Sequence, residues 1–240
     1  MKYAFITGAN KGIGFEAARQ LLEKGYFVFL GCRDAERGKN SINQLKAIGH
    51  EHLQLISINV CDEESVRKAS VQVQEHTQQL DTLINNAGIR GNVSQAPSVM
   101  SVADIKEVFE TNLFGVIRTT QAFMPLLRKA ASANIVNVSS ELGSLYLHIN
   151  PQWEYYKLKR PAYGPSKTAL NAYTIMLAYE LSDTGIKVNA VNPGYTATDF
   201  NNHTGIKHVS DAARTIVKYA MLEKDGPNGC YFSDYGITPW

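Results

Sequence analysis

TGANKGIGFEAARQL, residues 7–21, decides how the rest of the chain is read. It follows the apolar run YAFIT and leads into residues whose apolar positions recur at helical spacing. Gly8, Gly12 and Gly14 allow a tight turn and close backbone approach, and the start of the following helix offers free N–H groups to a pyrophosphate. The spacing G-x-x-x-G-x-G differs from the commoner dinucleotide fingerprint G-x-G-x-x-G and from the P-loop pattern G-x-x-x-x-G-K-[ST]. A glycine-rich loop that merely packs a helix on a sheet is the plainer alternative. Its place directly after a first strand favours the dinucleotide reading.

Outward from this turn, short apolar runs alternate with longer amphipathic stretches. Strands are expected at 3–7, 26–30, 53–58, 80–84, 133–138, 186–191 and 229–232. Helices are expected at 13–24, 35–47, 63–78, 101–110, 113–130, 163–182 and 210–221. Parallel strands need crossovers of this kind, so the order predicts a doubly wound, Rossmann-like α/β fold. It has about seven strands with helices on both faces, in one domain over residues 1–240. The irregular stretches 89–100, 141–162 and 194–209 follow strands, where such sheets bind ligands.

Composition excludes several classes. With 240 residues and a net charge of +2 there is no basic excess for nucleic acid. Cys32, Cys61 and Cys230 lack disulfide or zinc spacing and read as thiols in a reducing compartment. The chain starts directly on YAFIT, without the pattern of a signal peptide, and has no long apolar stretch. The expectation is a cytoplasmic protein with no membrane or nucleic-acid partner. No set of histidines and carboxylates suggests a metal, and His148 and His203 read as structural or exposed.

The second strand ends in FLGCRD, where a dinucleotide fold contacts the adenosine ribose. Arg33 offers a fork that matches a 2′-phosphate, and Lys11 could add a second cation, so NADP(H) is expected. Asp34 keeps NAD(H) open.

TGANKGIG, NNAG at 85–88, Asn112 in TNLFG, Ser140 in IVNVSS, YGPSK at 163–167 and NPGYTATD at 192–199 occur in one order along the chain. In this it resembles a short-chain dehydrogenase/reductase, and TGANKGIGFE, LGCRD and SDYGITPW resemble the NADPH-dependent carbonyl reductase branch. The resemblance implies Asn112, Ser140, Tyr163 and Lys167 as the active site. It implies Gly8, Asn10, Lys11, Gly12, Ile13, Gly14, Arg33, Asn59, Val60, Asn86, Ala87 and Gly88 around the cofactor. Pro193, Gly194, Thr196 and Thr198, with Tyr163 and Lys167, would face its nicotinamide end. Asn59 stands where the family commonly has an aspartate toward adenine, and an amide can still accept from the amino group.

Tyr-x-x-x-Lys occurs twice, as Tyr155/Lys159 and as Tyr163/Lys167. The family's usual interval after Ser140 is closer to Tyr155. The downstream sequence favours Tyr163, because Leu170, Tyr173, Leu177 and Leu181 recur at helical spacing and Pro165 falls in the first turn. Pro161 stops any helix carrying Tyr155 and Lys159. Residues 145–160 are then an insertion, expected as a surface flap packing its own aromatics. The sharper alternative is that Trp153, Tyr155 or Tyr156 walls a substrate pocket.

The resemblance implies reduction of an aldehyde or ketone by NADPH, reversible as alcohol oxidation. Tyr163 would be the acid, Lys167 would lower its pKa and hold the ribose, Ser140 would bond the substrate oxygen, and Asn112 would orient a water toward Lys167. Two alternatives stay open: an NADP-binding redox sensor without turnover, and an NAD-dependent secondary-alcohol dehydrogenase. A sugar-nucleotide epimerase or dehydratase would show G-x-x-G-x-x-G and a large C-terminal region. Neither is present in this sequence. The partner is a small carbonyl or alcohol, and monomer and homo-oligomer are both allowed.

Overall fold

A parallel strand covered on both sides must be apolar on both, and β1 (Tyr3–Thr7) meets that condition, with Ala4, Phe5 and Ile6 wholly buried. The computed structural model describes residues 1–92 and 96–240. Residues 93–95 of the expected loop 89–100 lie outside the described residues. After β1 come α1 (Gly12–Glu23), β2 (Phe27–Cys32), α2 (Ala35–Ala47), β3 (Leu53–Ser57), α3 (Glu63–His76) and β4 (Thr82–Asn85). The chain continues through α4 (Val102–Phe109), a π-helical turn (Glu110–Phe114), α5 (Gly115–Leu127), β5 (Ala133–Val138), a tight helical turn (Glu141–Gly143) and the short α6 (Leu145–His148). It ends with α7 (Tyr163–Glu180), β6 (Ile186–Val191), a second tight turn (Asp199–Asn201), α8 (Val209–Ala220), β7 (Tyr231–Ser233) and β8 (Gly236–Ile237).

Among the described residues eight strands form one sheet in the order β3-β2-β1-β4-β5-β6-β7-β8, parallel except for β8. The doubly wound expectation holds, with β8 as an added hairpin partner of β7. Order reverses at β1, whose neighbours are β2 and β4, so a crevice opens beyond the carboxyl ends of β1 and β4. Gly8 follows the first and Asn86 the second. Both motifs therefore meet there.

Successive strand residues point to opposite faces, which divides the core in two. Ala4, Ile6, Val28 and Leu30 pack with Leu21 of α1 and Ile216 of α8. Phe5 and Phe29 pack on the other face with Val66 of α3, Phe123 of α5 and Leu177 of α7. Each such large side chain contributes roughly 1.5–3 kcal/mol on burial. Caps fix where helices begin: Asp34 accepts from the Arg37 N–H, and Asp62 from those of Glu64 and Ser65.

The expected helices 101–110 and 113–130 join in one rod, because the π turn between α4 and α5 keeps the backbone helical while turning Asn112 inward. A buried polar network then locks α5 and α7 to the strand ends. Asn85 and Asn137 are cross-strand partners, and Asn85 donates to Asn137 Oδ1 at 2.9 Å and to Thr120 of α5 at 3.1 Å. Asn137 donates to Thr174 of α7 at 2.9 Å. Removing the middle member strands its neighbours in a dry setting. Asn137→Ala is expected to lower stability in urea by about 1–3 kcal/mol with an unchanged m-value. An unaltered midpoint would deny the network that role.

Candidate active site

The glycine turn and the end of β4 are clasped together. Asn86 Nδ2 donates to the carbonyls of Thr7 at 2.9 Å and Gly8 at 3.1 Å, and the N–H groups of Asn86 and Ala87 donate to Thr7 Oγ1 at 3.0 Å each. A Cβ at Gly14 would lie 2.5 Å from both Asn86 Nδ2 and the Gly8 oxygen, so only glycine fits. Lys11 places no side-chain cap on α1, which leaves the first N–H groups of that helix open toward the crevice.

A cleft of about 580 Å³ runs from this turn past the ends of β2 and β3. Gly8, Asn10, Lys11, Gly12, Ile13 and Gly14 line it with Arg33, Asn59, Val60, Asn86, Ala87 and Gly88, so the sequence-derived cofactor residues meet on one surface. Its size, glycine floor and uncapped helix N-terminus fit a dinucleotide. At its far end Arg33 is exposed, and Asp34 is occupied as the cap of α2 and lies 3.3 Å from Arg37 Nε. Arg37, which the sequence reading missed, lines the same cleft one helical turn after Arg33. The Lys11 ammonium, in the lining of the cleft, pairs with Asp199 at 2.9 Å, and His203 holds the other carboxylate oxygen at 2.9 Å. Asn59 Oδ1 accepts from the Cys61 N–H at 3.2 Å, which fixes the direction of its amide.

A second cavity of about 270 Å³ adjoins the cleft, and Ile13, Asn86, Gly88, Thr198 and Phe200 line both. Ser140, Tyr163 and Lys167 line this inner pocket with Pro193, Gly194 and Thr196. The Thr196 hydroxyl donates within its own loop, to the Pro193 and Gly194 carbonyls, and so supports the loop.

Tyr163 opens α7, half-buried against Phe200 with ring centres 5.5 Å apart. Lys167, one turn on, is 4% exposed and donates to the Val138 carbonyl at 2.7 Å. Its ammonium lies 5.7 Å from the centre of the Tyr163 ring. Burial pushes the Tyr163 phenol up to about 12, opposed by the Ser140 hydroxyl, and pushes the Lys167 ammonium down to about 8. The expectation that Lys167 lowers the phenol's pKa concerns the complex with oxidised cofactor, and in the protein alone burial is the larger influence on the phenol. Gly143 makes the arrangement possible: a Cβ there would lie 2.9 Å from the Lys167 backbone. A glycine three residues after Ser140 was a signal the sequence reading passed over.

Asn112 is fully buried, and its amide is engaged with protein groups. It accepts from the Ile89 N–H at 2.8 Å and donates to the Ile89 carbonyl at 2.9 Å and to Ser166 Oγ at 3.0 Å. Ser166 in turn donates to the Tyr163 carbonyl at 2.7 Å. The sequence reading gave Asn112 a water to orient. The structure shows it joining the loop after β4 to the first turn of α7.

Tyr155 and Lys159 make separate contacts. Lys159 donates to the His148 carbonyl at 2.9 Å and sits over the Tyr156 ring at 4.3 Å. Tyr155 instead joins an aromatic row, 5.8 Å from Trp153 and 6.0 Å from Tyr195. Trp153, Tyr155 and Tyr195 line the inner pocket, so the insertion is a wall of the site and not a self-contained flap. His148 anchors it through the Leu142 carbonyl at 3.0 Å. Among the described residues no group of three or more His, Cys, Asp or Glu could hold a metal.

The family model described as short chain dehydrogenase matches residues 2–208. Short-chain dehydrogenase anuI of Penicillium roqueforti is 38% identical, covering 90% of this chain and 86% of its own. (+)-Neomenthol dehydrogenase of Capsicum annuum is 31% identical, covering 99% of this chain and 97% of its own. The solved structure of NADPH-bound carbonyl reductase from chicken fatty liver has a TM-score of 0.88 at 28% identity, over 100% of this chain and 99% of that one. The chain therefore belongs to the short-chain dehydrogenase/reductase family of NAD(P)(H)-using oxidoreductases and resembles its carbonyl reductases.

Proposed function

We propose that this oxidoreductase reduces an aldehyde or ketone with NADPH, reversibly. The observation that carries this is the opening of the long cleft into the small pocket that Ser140, Tyr163 and Lys167 line. A nicotinamide ring in the cleft and a carbonyl in the pocket can meet where the two cavities join. The names of similar proteins agree, since one is an NADPH-bound carbonyl reductase and another a neomenthol dehydrogenase.

NADPH, when bound, supplies the hydride to the carbonyl carbon. Ser140 donates a hydrogen bond to the carbonyl oxygen and stabilises charge as it grows there. Tyr163, whose phenol burial holds further on the protonated side, gives that oxygen its proton. The Lys167 ammonium stabilises the phenolate left behind. Asn112 and Ser166 keep the first turn of α7 in register with the pocket. Arg33 and Arg37 hold the 2′-phosphate, a task Asp34 does not oppose while it caps α2. Free Cys32, Cys61 and Cys230 support a reducing, cytoplasmic setting, and among the described residues no helix is long and apolar enough to cross a membrane.

Two measurements test this reading. Initial rates with a panel of aldehydes and ketones should show NADPH preferred over NADH by about ten- to hundredfold in kcat/KM, and Arg33→Ala or Arg37→Ala should erode that preference. Cofactor binding without turnover of any carbonyl would instead favour a redox sensor. The pH profile is the second test. Reduction needs a protonated phenol and a charged Lys167, and raising pH through about 8 removes the lysine's charge first. The value of kcat/KM should be level on the acid side and fall above about pH 8, with Lys167→Arg moving the fall to higher pH. A wild-type profile level through that region would contradict the role given to Lys167.

A further inference from the structure

Strands β5, β6 and β7 pair side by side, and one carboxylate oxygen joins the segments that follow them. Glu141 comes directly after Ser140, beyond the end of β5. Its Oε1 accepts from Asn192 Nδ2 at 3.0 Å and from the Tyr235 hydroxyl at 2.5 Å. Asn192 follows β6 and is buried, while Tyr235 lies in the turn between β7 and β8, a part of the chain to which the reaction above gives no task.

The donors and acceptors fix each direction along this path. An ionised carboxylate only accepts, so Tyr235 must donate to it and Asn192 must present its amino group. The Asn192 carbonyl oxygen is thereby turned the other way, where it accepts from the Gly194 N–H at 3.0 Å. Gly194 has a φ of +80° and lines the inner pocket with Pro193, Ser140 and Glu141 itself. On its other side Glu141 opens the tight turn after Ser140. There the Ser140 carbonyl accepts from the Gly143 N–H at 2.7 Å, and Ser140 Oγ accepts from the Leu142 N–H at 3.3 Å, which leaves the serine its proton to donate.

We infer that Glu141 is a positioning residue for hydride transfer. Held by Tyr235, it orients Asn192 and so sets the Pro193–Gly194 backbone, on the nicotinamide side, against Ser140, on the carbonyl side. This rests on the carbonyl-reductase reading and adds to it. Glu141 gives and takes no proton in the reaction and acts through Asn192 and the Ser140 turn. A misplacement on the order of 1 Å costs about a hundredfold in rate, so loosening this tie acts on the chemical step more than on cofactor binding.

Tyr235→Phe is the cleanest variant, since it removes one hydroxyl from a ring that is 67% exposed. Single-turnover reduction of the best substrate is followed with NADPH and with NADPH deuterated at the transferred position. Tyr235→Phe is expected to slow hydride transfer about three- to tenfold and Glu141→Ala about ten- to hundredfold, each with a deuterium isotope effect on the slowed step and NADPH affinity within about twofold of wild type. The double variant should be no slower than Glu141→Ala, because the hydroxyl acts through the carboxylate. Glu141→Gln keeps the shape but can donate as well as accept, which frees Asn192 to turn over, and its rate should fall between wild type and Glu141→Ala. It decides with Tyr235→Phe if the alanine variant fails to fold.

Wild-type hydride-transfer rates in Tyr235→Phe and Glu141→Gln, or losses that multiply in the double variant, would overturn the inference and leave carbonyl reduction standing. A lowered urea midpoint with unchanged rates would do the same, by making the tie merely structural. Should no carbonyl be reduced at all, the reductase reading fails, and hydrogen exchange at the Gly194 amide judges the tie separately. Faster exchange in Tyr235→Phe and Glu141→Gln supports it, and unchanged exchange contradicts it.

Discussion

Lys167 donates to the Val138 carbonyl at 2.7 Å with only 4% of its surface exposed. Taking an ammonium out of water is costly unless it is bonded, and one carbonyl compensates only in part, which is why burial brings its pKa down to about 8. The same bond pins the first turns of α7 to the end of β5. Tyr163, on that first turn, is held at the pocket as a result. Gly143 permits the approach by having no Cβ, and Asn112 and Ser166 brace it from the other side. Strongly shifted groups in a cleft mark sites of chemistry, and here two of them lie one helical turn apart.

A second constraint sets what meets that pair. Asn86 clasps the glycine turn through the Thr7 and Gly8 carbonyls, and the absence of a Cβ at Gly14 lets it do so. Because Asn86 borders both cavities, the clasp fixes how the long cleft opens into the small pocket. Across the mouth of the cleft, Asp199 links Lys11 to His203 and so joins the glycine turn to the loop after β6. Exposed pairs of this kind contribute little stability, and their effect is on the position of the loop.

Much of this was legible in the chain because the same physics writes both. Strands buried on two faces must be apolar runs, and β1 and β2 read that way. Pro161 excluded a helix at Tyr155, and the leucines after Tyr163 demanded one. What stayed hidden depends on groups that periodicity does not connect. The π turn at Asn112 shifts one side chain without breaking the helical pattern. The strand β8 is too short to show an alternation. The pairing of Lys11 with Asp199 leaves no local trace, since it joins distant loops. The insertion carried its aromatics in plain view, but only its anchoring through His148 and its contact with Tyr195 reveal that they wall the pocket.

Single-turnover reduction by Tyr163→Phe, with NADPH affinity measured alongside by fluorescence titration, probes the central claim most directly. The account predicts near-normal NADPH binding and a hydride-transfer rate reduced by about a hundred- to ten-thousandfold, while Tyr155→Phe retains turnover. Full turnover in Tyr163→Phe, or its loss in Tyr155→Phe alone, would contradict it.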